Sequence, residues 1–176
     1  HYLNINLIVS TVMKPAHVLL SIVFVSFTTI SQVVINEVSC SNRSTITDSF
    51  GNNEDWIELL NVGVTVIDLT GFYLTDNPNN ATKYQIGPVT VNPGERIMVH
   101  CSGRNTLVGN EIHTNFKLTQ TNGEVLMLSG PSGAFADSVH LANKITREGH
   151  SIGRSTDGGA DWTLFTTPTP NAPNSG

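Results

Sequence analysis

NNEDWIELLN, residues 52–61, sets Glu54, Asp55 and Glu58 around Trp56 in a chain of which only 13% of residues are charged. The stretch reads either as a carboxylate cluster that holds a metal ion or moves protons, or as one acidic strand of a β-sheet. Side chains alternate along a strand, so Asp55, Ile57, Leu59 and Asn61 face one way while Trp56, Glu58 and Leu60 face the other. Ile57 and Leu59 form the natural core pair. Glu58 then points out of the sheet beside Trp56, with Glu54 and Asp55 at the start of the strand. Carboxylates carried in this way diverge instead of encircling an ion, so a strand is predicted and no tight metal site. A weak surface Ca²⁺ association, governed by net negative charge and fading with salt, is left to Glu37, Asp48, Glu54 and Asp55.

Outward from this stretch the pattern stays β. The runs VVINEV (33–38), DWIELLN (55–61), VTVIDL (64–69), FYLTD (72–76), KYQI (83–86), RIMVHC (96–101), EVLMLSG (124–130), FADSVHL (135–141) and DWTLFTT (161–167) are short and rich in Val, Ile, Thr and aromatics. Turn signals separate them: Gly51-Asn52, Asn77-Pro78-Asn79-Asn80, Pro93-Gly94, Asn122-Gly123, Pro131-Ser132-Gly133 and Asp157-Gly158-Gly159. No stretch of ten residues carries helical apolar spacing. At 176 residues the chain is long enough for one domain with a real core and short for two. Short strands punctuated by turns predict an all-β fold, an antiparallel β-sandwich of two sheets.

Fourteen acids against nine bases give a formal charge of -5. No Lys/Arg-rich run is present to track a phosphate backbone, which argues against nucleic acid as a partner. The acids are uneven, because Glu37, Asp48, Glu54, Asp55, Glu58, Asp68 and Asp76 share residues 37–76 with Arg43 as the single fixed positive charge. The N-terminal region has the form of an export signal, with Met13 and Lys14 followed by the apolar run AHVLLSIVFVSFTT at 16–29. Residues 1–12, HYLNINLIVSTV, are read as an upstream segment outside the fold. Residues 13–31 are read as a signal peptide cleaved before Gln32, and residues 32–176 as the domain. The competing reading is an uncleaved anchor, since Val18 to Ile35 is an 18-residue stretch without charge. Membrane contact is expected only through that segment, and the location expected is secreted or at the cell surface.

INEV at 35–38, DWIELLN at 55–61, VIDLTGFYLTD at 66–76, VNPGERIMV at 91–99, HTNFKLTQTNGEVLML at 113–128, SIGRSTDGG at 151–159 and TPTPNAPN at 167–174 together resemble the lamin tail domain, in the prokaryotic form carried by secreted and surface proteins. The resemblance implies an immunoglobulin-like β-sandwich, in agreement with the pattern of strands and turns. It implies no catalytic residues, and it makes the domain an interaction module. Within these segments Leu69, Gly71, Phe72 and Leu74 look like a turn between strands, Gly71 giving backbone freedom while the apolar residues reach the core. Pro93-Gly94 presets a tight turn, and Asn122-Gly123 signals a hairpin.

The residues that carry chemistry elsewhere form no constellation here. Nothing resembles a Gly-x-Ser-x-Gly nucleophile elbow, and no His-x-x-x-His or Cys-x-x-Cys spacing marks a zinc site. His100, His113, His140 and His150 are expected to be solvated or to sit at the edge of the core. Asp157-Gly158-Gly159-Ala160-Asp161 lacks the alternating oxygen ligands and closing Glu of a calcium loop and reads as a β-turn. Asn42-Arg43-Ser44 and Asn80-Ala81-Thr82 accept glycans only in a eukaryotic secretory pathway. Cys40 and Cys101 each end a β-run, and in an exported chain they are free to oxidise. A bridge between them would close a loop of about 60 residues and contribute roughly 4 kcal/mol on the chain-entropy model; the other reading is two small buried hydrophobes.

Two functions of different class follow. The first is a non-enzymatic extracellular or cell-surface module that binds a protein or glycan and needs no cofactor. The second is a secreted metal-dependent hydrolase using the acids of residues 37–76. Three or more carboxylates converging in a cleft would favour the second.

Overall fold

The computed structural model describes residues 32–119, 123–141 and 147–175. The signal-segment expectations for residues 1–31 lie outside these. Among the described residues the chain forms strands and turns with no helix. One sheet has seven strands, in the order β13 (Trp162–Phe165), β12 (Ser151–Arg154), β1 (Val33–Ser39), β2 (Trp56–Asn61), β7 (Arg96–His100), β9 (Glu111–His113) and β8 (Thr106–Val108). A second has four, β11 (Phe135–His140), β10 (Val125–Ser129), β4 (Tyr73–Thr75) and β5 (Tyr84–Gln85), and β3 (Ile67–Asp68) pairs with β6 (Thr90–Val91) as a short ribbon. Ile35, Val38, Ile57, Leu59, Val99 and Ile112 of the large sheet meet Leu74, Leu126, Leu128 and Val139 of the smaller one in a single apolar core. This is an immunoglobulin-like β-sandwich.

The core pair expected in β2, Ile57 and Leu59, is fully buried between the sheets. The opposite face departs from expectation. Trp56 and Glu58 do point away from the core, yet both are completely buried, because other parts of the chain cross that side of the sheet. A β-bulge in β1 contributes to this. Ile35 pairs with Leu59 and Val38 with Ile57, and both reach the core although they are three residues apart. Strict alternation forbids that spacing, and the register shift between Ile35 and Glu37 absorbs the extra residue. Asn36 and Glu37 are thereby both turned to the outer face, against Glu58.

Other differences are of pairing. β7 and β9 run parallel, with His100 opposite His113, because the chain leaves β7, forms the edge strand β8 and returns between them. β6, β8, β9 and β12 carry no run of four apolar or β-branched residues, so pattern alone does not mark them. Pro93-Gly94 makes the turn expected: Glu95 N donates to Asn92 O and Gly94 takes φ 74°, a value that suits glycine. Gly71, at φ 80°, reverses the chain so that Leu69 and Leu74 both enter the core. Asn122 of the expected hairpin turn lies outside the described residues, and β10, which follows it, pairs with β11 and β4.

Candidate functional site

Five of the seven acids of residues 37–76 fall into two groups on different parts of the molecule, while Asp68 accepts from Thr70 and Asp76 pairs with Lys83. The first group lies on the outer face of the large sheet, around Asn36. Asn36 Nδ2 donates to Glu58 Oε1 at 2.9 Å and to Asp157 Oδ1 at 3.0 Å, while its Oδ1 accepts from Gly158 N at 3.1 Å. Residues 169–174 cross above this point as a strap. Thr169 donates its N–H and its hydroxyl to Glu37, Asn171 N donates to Glu58 Oε2 at 2.7 Å, and Asn174 N donates to Asp157 Oδ1 at 3.1 Å. Ser151 Oγ also donates to Glu37, and Arg96 pairs with Asp157 and stands 3.5 Å from Glu58.

Three carboxylates do gather here, but with donors of the protein's own backbone and side chains on each of them. Glu37 and Glu58 are fully buried, with donors of the strap on both. Burial pushes the Glu58 carboxyl up to about 7, against the bonds from Asn36 and Asn171 and with the help of Glu37. Burial acts on Asp157 in the same sense, but the bonds from Asn174, Asn36 and Arg96 outweigh it and hold this carboxyl below its ordinary range. The arrangement latches the C-terminal segment to the sheet.

The second group lies at the end of the sandwich where loop 41–55 meets β7, β8 and β9. Asp48 Oδ1 accepts from Phe50 N at 3.0 Å and from Asn52 N at 2.7 Å, and Asp48 N donates to Asn52 O at 2.8 Å. The short side chain thus replaces backbone partners and ties a tight turn. Phe50 stands at its tip, 51% exposed. The Arg104 guanidinium lies 4.6 Å from the Phe50 ring centroid, and the His113 ring meets it edge-on at 5.1 Å. His113 is itself held by Ser102 Oγ on Nδ1 at 3.1 Å and by Glu111 Oε1 on Nε2 at 2.8 Å, with His100 stacked at 5.2 Å. Ser102, His113 and Glu111 are in the sequence of contacts that a nucleophile, a base and an orienting acid would make. Ser102 is only 5% exposed and its Oγ also accepts from Arg104 N, so the contacts lock the histidine ring in place.

The four acids offered as weak Ca²⁺ ligands are not brought together. Glu37 lies under the strap, Asp48 caps the Phe50 turn, and Glu54 faces Lys117 at 3.2 Å and Arg104 at 3.8 Å. Asp55 accepts from Asn42 N at 3.0 Å, and burial raises its carboxyl to about 6. Among the described residues no group of three or more His, Cys, Asp or Glu is placed to hold a metal ion. His100 and His113 are buried at the heart of the second group. Their register across β7 and β9 was hidden in the sequence because a parallel pairing between strands of five and three residues leaves no local signal.

Cys40 and Cys101 are both buried in the core as free thiols, and burial raises both thiols above their ordinary value. β2 lies between the strands that lead into them. Two strand spacings put their Cα atoms roughly 10 Å apart, beyond the reach of an unstrained bridge. Of the two glycan acceptor sequences, Asn42 is buried with its amide bonded to Ile46 O and Glu54 O, whereas Asn80 is exposed in a turn.

The fold and the use made of its polar groups define an immunoglobulin-like domain whose buried acids and amides position loops and a terminus. The family model of the lamin tail domain matches residues 27–146, and the chain belongs to that family, which is a family of binding-type domains and not one of known enzymes. The match runs through β11 and leaves β12, β13 and the strap beyond it. No curated protein matches the chain significantly.

Proposed function

We propose that this domain works outside the cell as a non-enzymatic binding module, with Phe50 as the anchor that contacts a protein or glycan partner. Phe50 carries this reading. It is a large apolar side chain left half in solvent, yet its backbone is tied to Asp48 and its ring is held between Arg104 and His113. An aromatic ring already held rigid loses little conformational freedom on binding, and aromatic and arginine side chains are the usual energetic centres of interfaces. Loops at the end of a sandwich are also where such scaffolds carry recognition. Export is supported by Met13, Lys14 and the apolar run at 16–29.

The test is binding of the chain to a panel of envelope glycans and secreted proteins from the source organism. Phe50→Ala and Arg104→Ala are each expected to weaken the interaction about tenfold or more. Phe135→Ala, which removes a ring that is 66% exposed on β11 of the other sheet, is expected to leave it unchanged. Equal losses from all three folded variants, or no binding to any member of the panel, would rule out the Phe50 surface.

A further inference from the structure

β13 closes one border of the seven-stranded sheet, with β12 on one side and no described residue in the sheet beyond it. The bond from Ser155 N to Asp161 O continues the β12–β13 ladder and sets its phase. Thr163 and Phe165 therefore turn their backbone groups to Gly153 and Ser151, while Trp162, Leu164 and Thr166 turn theirs outward. The other borders of the two larger sheets are blunted. β8 and β5 are three and two residues long, and β11 directs the Asp137 carboxylate inward onto Ile35 N and Arg154, beside a register shift. Short length, inward charges and bulges keep a sheet edge from pairing. β13 has no such protection. Residues 162–167, WTLFTT, hold no charge and no proline, and the pairing of β13 with β12 is unbroken. Leu164 is 42% exposed, in a cleft that it lines with Phe165, Thr166, Thr167 and Ser175.

We propose that β13 is an interface at which a second copy of this chain adds antiparallel, joining the two large sheets across a two-fold axis. The occupant follows from the edge itself. About a two-fold centred on Leu164, this residue exchanges both backbone bonds with Leu164 of the second copy, and Trp162 exchanges its own with Thr166, so every outward group from Trp162 to Thr166 finds a partner. Asp161 then stands opposite Thr167 instead of opposite itself, and no like charges meet. The two Leu164 side chains fall side by side on one face and cover each other from water. The pairing goes beyond the binding reading and does not rest on it, since Phe50 meets His113 of β9, toward the far border of the same sheet. With both in place, a pair carries two Phe50 tips at its outer borders and gains by engaging two partner sites at once.

Sedimentation velocity and residue-resolved amide exchange of the full chain are followed together from about 1 µM to about 1 mM, the range of weak pairs. A monomer–dimer equilibrium is expected. The Trp162, Leu164 and Thr166 amides should exchange fast at the low end and slow as dimer forms, while Thr163, bonded to β12, keeps its protection throughout. Leu164→Pro removes the central outward donor and leaves the bonds to β12, and Leu164→Lys sets like charges opposite each other; each is expected to hold the chain monomeric. Val108→Lys, on the opposite border, is expected to leave the dimer intact. A chain that stays monomeric over the range, a dimer that survives in the folded Leu164 variants, or a dimer lost in Val108→Lys would each overturn the proposal. So would outward amides protected equally at every concentration, the mark of an edge covered by another part of the same chain. Should the Leu164 variants fail to fold, the concentration dependence of the outward amides in the natural chain decides the matter.

Discussion

Glu58 is the residue at which alternation along a strand and the three-dimensional surroundings part company. Its side was legible, since Ile57 and Leu59 face the core and Glu58 must face away from them. Its burial was not, because the groups that cover it, Asn36, Arg96 and Asn171, stand 22, 38 and 113 positions away along the chain, as their numbers give. The folded carboxyl, at about 7, lies above its ordinary value of 4.5, so folding favours the protonated form. That contribution is complete below about pH 4.5 and is lost as the pH rises through about 7, on the order of 3 kcal/mol in all. Urea unfolding from pH 4.5 to 8 is expected to show this decline in the natural chain and a flatter profile in Glu58→Gln; equal slopes would remove Glu58 as its source. At Cys40 and Cys101 the burial of both thiols on strands separated by β2 leads to a second expectation. Thiol titration of the unreduced protein should find two free thiols, reactive only after unfolding.

At the scale of elements, the bulge in β1 leaves a gap that side chains fill. β1 pairs with β12 only at Glu37 and Val38, which leaves Ile35 without a backbone partner on that side. Asp137 of β11 accepts from Ile35 N at 2.8 Å, and Arg154 of β12 donates Nε to Ile35 O at 2.8 Å while pairing with Asp137 at 2.7 Å. An ion pair thus continues the ladder and joins the two sheets, with the Arg154 guanidinium 4.9 Å from the Trp162 ring. Removing one partner leaves a buried charge and a buried carbonyl unmatched, so Arg154→Ala is expected to cost about 3–5 kcal/mol in denaturant unfolding. Arg154→Lys should recover little, because an ammonium cannot serve both acceptors in this geometry. β12 also explains a glycine. A Cβ at Gly153 would lie 2.3 Å from Phe165 Cε2 and 3.0 Å from Asn174 Nδ2, so Gly153→Ala is expected to destabilise by about 1–3 kcal/mol. Faster amide exchange along residues 169–174 would show the strap loosening with it.

For the whole molecule, the distribution of acids decides what the negative charge can do. Glu37 is held under the strap while Asp48, Glu54 and Asp55 are engaged at the loop end, so Ca²⁺ added to the chain is expected to give no saturable heat in the micromolar range by calorimetry. Micromolar binding abolished by both Glu54→Gln and Asp55→Asn would restore a metal role for that edge. The class of fold was legible from the sequence, since alternating apolar residues, short runs and turn residues are local consequences of extended backbone, and the single core follows once those runs are packed. So were the inward face of β2 and the turns at Gly71 and Gly94, where dihedral preference acts on one or two residues. Only the tertiary structure decided the burial of Glu58, the bulge that turns Asn36 and Glu37 outward together, the pairing of His100 with His113, and the ring of Arg104 and His113 around Phe50. Each of these depends on strands and loops distant along the chain coming into register, and a group's hydrogen-bond partners and its solvation are properties of that assembled neighbourhood, which no local pattern of residues encodes.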